Sequence, residues 1–95
     1  MENLYTEVLI SANADPVEFD NIVNRLVSAF DAKIINHARD PDTDYVDVEV
    51  QNEKLTLHRQ TFIGISIFPT ALDHASRQAN IVVEKVVLQL KHPDK

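Results

Sequence analysis

The chain has 95 residues and a mass of 10.8 kDa, with 44 % apolar and 25 % charged residues. That is one domain, residues 1–95, long enough to fold around its own core and too ordinary in composition for a disordered or collagen-like chain. A single glycine, Gly64, excludes glycine-rich phosphate loops and dinucleotide fingerprints, and the absence of cysteine excludes thiolate metal sites, redox pairs and cysteine nucleophiles.

The net charge is −6, carried unevenly: residues 1–53 hold −9 and residues 54–95 hold +3. Nucleic-acid binding draws its affinity from Lys and Arg on phosphates, so this balance predicts no nucleic-acid partner. Met1-Glu2-Asn3 is acidic and polar where a secretory leader is basic and then apolar. No apolar run is long enough to span a bilayer. The expectation is a cytoplasmic protein with no membrane association.

In chain order, Leu4 to Ala12 alternates as a strand, with Leu4, Thr6, Val8, Ile10 and Ala12 on the core face. Asp15-Pro16-Val17-Glu18 opens a helix: Asp15 caps, Pro16 suits the first helical position, and Glu18 reaches back to the cap amide. Phe19, Ile22, Val23, Leu26, Val27 and Phe30 follow at helical spacing and carry the helix to about Phe30. Lys33 to Ala38 is a second strand, and strand–helix–strand order suggests a crossover unit. Arg39 to Asp44 is a loop punctuated by Pro41.

Tyr45 to Gln51 and Lys54 to Gln60 form a hairpin about Asn52-Glu53. Its register sets Val50 against Leu55 and Val48 against Leu57 on the core side, with Asp47 opposite His58 and Glu49 opposite Thr56 on the other. Phe62 to Phe68 is another strand, with Ile63, Ile65 and Ile67 on one face and Gly64 marking a bulge or close backbone contact. Thr70-Ala71-Leu72-Asp73 opens a second helix, whose stripe of Leu72, Ala75, Ala79, Val82, Val83, Val86 and Leu90 runs to Lys91. The β-branched stretch Ile81 to Leu90 leaves a short helix and a last strand as the alternative. The expected fold is α+β, β-α-β-β-β-β-α: one antiparallel or mixed sheet of four to five strands, both helices on one face.

Candidate chemistry is sparse. His37, His58, His74 and His92 have no metal-ligand spacing. Asp40-Pro41-Asp42-Thr43-Asp44 resembles the opening of a calcium loop, but Tyr45 and Gln51 stand where glycine and glutamate are needed. No cofactor or metal is expected. Asp47 beside His58 is the one pair suited to acid–base work, and no serine is placed beside it by the sequence. Enzymatic function is therefore disfavoured. Asp40, Asp42, Asp44, Asp47, Glu49 and Glu53 crowd six carboxylates into fourteen residues without a base. Their mutual repulsion costs stability unless a cation or a basic partner relieves it. The leading expectation is a non-enzymatic interaction module, an inhibitor or immunity-type partner of a basic protein, with those six residues as its surface. Two alternatives stand beside it. One is a solvated face that discourages edge pairing. The other is a small-ligand regulatory domain of ferredoxin-like type, favoured if Ile81 to Leu90 is a strand. A homodimer is left open.

Overall fold

A computed structural model of the chain describes residues 7–71 and 77–91. The elements are β1 (Val8–Ser11), α1 (Pro16–Phe30), β2 (Lys33–Arg39), β3 (Thr43–Val50), β4 (Glu53–Gln60), β5 (Gly64–Pro69) and α2 (Arg77–Lys91). The strands form one antiparallel sheet in the order β1-β5-β4-β3-β2. This is the α+β arrangement expected from the sequence.

The first helix forms for local reasons. Asp15 sits in extended backbone, and its carboxylate accepts the Val17 amide at 3.0 Å, satisfying one orphan donor of the first turn. The cap amide itself donates to Asn13 Oδ1 at 3.1 Å, so Asn13 fills the role expected of Glu18. Phe19, Ile22, Val23 and Leu26 are buried, and Val27 and Phe30 pack against them. The helix ends at Asp31, whose φ of 55° lets it do what glycine usually does at this position.

β1 and β2 are the two edges of the sheet, so α1 crosses from one edge to the other instead of linking neighbouring parallel strands. The crossover unit suggested by strand–helix–strand order is thus not adjacent. Three strands lie between its ends, because β2 to β5 form a continuous meander that β1 joins only at β5. Val46, Val48, Val50, Leu55, Leu57, Ile65 and Ile67 face one core with both helices. Of the stripe expected on the second helix, Ala79, Val82, Val83, Val86 and Leu90 are buried. Leu72 and Ala75 lie outside the described residues. Ile81 to Leu90 is helical, and the alternative last strand does not form there.

The central hairpin departs from the expected register. Its turn is Gln51-Asn52, not Asn52-Glu53, with φ of 52° and 69°. Two consecutive positive φ values make the tight turn whose twist suits a hairpin, and asparagine tolerates that region. Val48 therefore faces Leu55 and Val46 faces Leu57, while Val50 faces Glu53. The shift is two residues, so the faces survive and the cross-strand partners change. β5 begins at Gly64, later than expected, which leaves Phe62 and Ile63 in the turn before it.

Candidate protein-interaction site

The six carboxylates do not form one surface. Asp40 and Asp42 lie exposed in the β2–β3 turn, and Glu53 lies at the far end of β3–β4. An eight-residue strand separates these ends by roughly 25 Å. Asp47 and Glu49 lie on the sheet face away from the helices. Asp47 accepts the Thr56 hydroxyl at 2.7 Å, and Thr56 Oγ1 is 2.8 Å from Thr70 Oγ1. Glu49 stands between Lys33 of β2 and Lys54 of β4 in the register.

Asp44 has a different role from the surface position expected of it. Its exposure is 0 %, because it shares the inward parity of Val46, Val48 and Val50. Arg59, 3 % exposed, is its direct cross-strand partner and donates from Nε to Asp44 Oδ2 at 2.6 Å. Arg39 Nε donates to the other carboxylate oxygen, and Arg39 Nη2 reaches Asp20 on α1 at 2.8 Å. Arg59 Nη1 also donates to Ala14 O at 3.0 Å, just before the α1 cap. Burial pushes the Asp44 carboxyl up, but the hydrogen bonds from Arg39 and Arg59 outweigh it and hold it below the ordinary value. The network ties β2, β3, β4 and the start of α1 into one rigid end.

That end carries two adjacent turns. The Thr61 amide and hydroxyl both donate to the Asp42 carbonyl, at 2.9 and 3.0 Å. The β4–β5 turn is thereby lashed to the acidic β2–β3 turn. Within it, the Ile63 amide donates to Gln60 O at 3.0 Å, and Phe62 has φ of 79°. A negative φ before a positive one in such a four-residue turn is the type II pattern, which normally takes glycine or asparagine at this position. Here it holds a phenylalanine that is 99 % exposed, beside Ile63 at 57 %. Gly64 follows with φ of 124°, and a Cβ there would collide with Ser11 O. The close backbone contact expected of this glycine is present.

The Asp47–His58 pair does not form. With the hairpin shifted by two, Asp47 faces Thr56 and His58 faces Tyr45. The His58 ring stacks on Tyr45, with centroids 4.2 Å apart and planes 7° from parallel, and meets Phe68 edge-on at 6.5 Å. Its Nε2 is buried without a hydrogen bond. Desolvation lowers the pKa of His58, against a smaller opposing pull from Glu7. Ser66 is the register partner of His58, but its hydroxyl donates to Glu7 at 3.4 Å. The carboxylate thus holds the serine and not the imidazole, the wrong order for a nucleophile relay.

His37 is exposed on β2, with Nε2 3.9 Å from Asp44 Oδ1. It borders a shallow cleft of about 300 Å³ between α1 and β2, floored by Val23, Ile34 and Val46. His74 and His92 lie outside the described residues. Among the described residues, no three His, Asp or Glu side chains gather in a metal-holding group, and no helix is long and apolar enough to cross a membrane.

Sequence reasoning missed the Asp44–Arg59 pair, although a signal existed. An acid and a base stand at inward positions, in step with Val46–Val50 and Leu55–Leu57. It also missed Phe62, which was absorbed into the apolar run that becomes β5. No protein-family model matches this chain, and no curated protein or solved structure matches it either.

Proposed function

We propose that the protein is a non-enzymatic interaction module that engages a basic protein through the rigid end of the sheet, centred on Asp40 and Asp42. The observation that supports this reading is the retention of two exposed carboxylates on a turn fixed by hydrogen bonds from Thr61, beside a neutralised ion network. The reading narrows the acidic surface from six residues to two. Asp44 is spent on Arg39 and Arg59, Asp47 on Thr56, Glu49 stands between Lys33 and Lys54 in the register, and Glu53 lies at the opposite end. It carries with it a cytoplasmic setting and no nucleic-acid partner. The ligand-binding alternative is favoured by a last strand at Ile81 to Leu90, and that segment is helical, so it gains no such support.

Opposite charge across an interface acts mainly on the association rate and is screened within about 8–10 Å at physiological salt. The expected outcome for Asp40→Asn with Asp42→Asn is slower association with the partner at low salt, a smaller difference at high salt, and an unchanged thermal midpoint. Surface plasmon resonance on partners captured with the wild-type chain measures the first two. Equal association rates for variant and wild type at low salt would remove this reading.

A further inference from the structure

The geometry points to Phe62 as the anchor of an interface, inserted into an apolar pocket on the partner whose rim is basic. The inference rests on the proposed basic partner and adds the residue that holds it. Three observations carry it. Phe62 is 99 % exposed, so it contributes nothing to this chain's own core. Large aromatic side chains bury substantial apolar area with few rotatable bonds and are over-represented among residues that dominate binding.

The second observation is the backbone. Phe62 holds φ of 79° at the third place of a turn closed by Ile63 N to Gln60 O. Glycine or asparagine would hold that conformation at lower cost, so neither folding nor turn formation calls for phenylalanine. The third is placement. Thr61 bonds twice to Asp42 O, which fixes the apolar tip beside Asp40 and Asp42. An aromatic anchor with Ile63 next to it and carboxylates at its flank matches an apolar socket edged by Lys or Arg. The same carboxylates oppose an anionic bilayer, and facing tips of two copies would bring like charges together.

The test uses the full chain with photoreactive benzoylphenylalanine at position 62 and, in a separate preparation, at the exposed position Leu88 on α2. Each is irradiated in a lysate of the host cell at low and high salt. The expected result is adducts at position 62 with proteins of positive net charge, in at least about tenfold excess over position 88 and reduced by salt. The adducted protein is then purified and titrated with Phe62→Gly and with the Asp40→Asn, Asp42→Asn variant. Phe62→Gly keeps the fold, because glycine suits the turn, and its thermal midpoint does not fall. It should weaken binding by about tenfold or more, through faster dissociation. The aspartate variant should slow association instead.

Adducts equal at positions 62 and 88, or adducts only to a second copy, each overturn the anchor; so does wild-type binding to anionic phospholipid vesicles that Phe62→Gly loses, which would assign Phe62 to a membrane. If Phe62→Gly binds the partner like wild type while the aspartate variant associates slowly, the anchor falls and the basic-partner reading stands. If Phe62→Gly loses binding but neither salt nor the aspartates matter, the basic rim is overturned.

Discussion

The two ends of the sheet solve the same backbone problem with different residues. At one end the β3–β4 turn needs positive φ twice and uses Gln51 and Asn52, polar residues exposed to water. At the other end the β4–β5 turn needs positive φ at Phe62, and the residue there is aromatic, bulky and fully exposed. The first turn is explained by folding alone. The second is not, and it sits on the end that is also braced by a buried ion network and a hydrogen-bonded pair of turns. A positive-φ aromatic on a hydrogen-bonded end is the feature of this sheet that folding alone does not explain.

The contrast can be broken most directly at its brace. Asp44→Ala leaves the buried Arg59 charge without its carboxylate, which costs about 3–5 kcal/mol; urea denaturation measures it, and a cost under about 1 kcal/mol would show that the network does not brace this end. Gly64→Ala comes next. Its positive φ and the collision with Ser11 O give an expected loss of about 3 kcal/mol by the same measurement. Asn52→Gly, at the other end, should stay within about 0.5 kcal/mol of wild type.

The folded-state pKa of Asp44 lies below its ordinary value of 3.8, so its contribution is present above pH 3.8 and is lost as pH falls through the lower folded value. His58 is also depressed, from 6.5, because burial disfavours its charged form. The unfolded chain then binds the proton more readily, so this part of the stability is present above pH 6.5 and is lost as pH falls through the folded value. Urea midpoints between pH 5 and 7.5 should decline toward acid in the wild type and flatten in His58→Phe. A slope unchanged by that substitution would assign the decline to other groups. Phe62→Gly acts in the opposite direction and is expected to stabilise by up to about 1 kcal/mol as backbone strain is relieved, less the entropy that glycine adds to the unfolded chain. A lowered thermal midpoint would show that phenylalanine is supporting the fold after all.

Much of this architecture was legible in the residues. Asp15-Pro16 and the stripe from Phe19 to Phe30 place α1 to the residue, because capping and periodicity are local properties. The inward valines and leucines of β3 and β4 were assigned to the correct face, because alternation survives a shift of two. What failed was register. Gln51-Asn52 and Asn52-Glu53 are both credible turns, and the choice between them decides whether Asp47 or Tyr45 meets His58. The same shift conceals the Asp44–Arg59 pair, so the run of carboxylates read as one surface when its members point to opposite faces and ends. Phe62 was hidden because apolar residues before a strand look like the strand itself.

The path of α1 across the sheet sets an order of assembly. β2 to β5 can zip together through turns of a few residues, whereas β1 pairs with β5 only by joining Val8 to Ile67 and Leu9 to Ser66, across most of the chain. Closing so long a loop costs entropy that neighbouring hairpins do not pay, so β1 is expected to dock last and to detach first. The amides of Val8–Ser11 should accordingly exchange with solvent well before those of Leu55–Arg59.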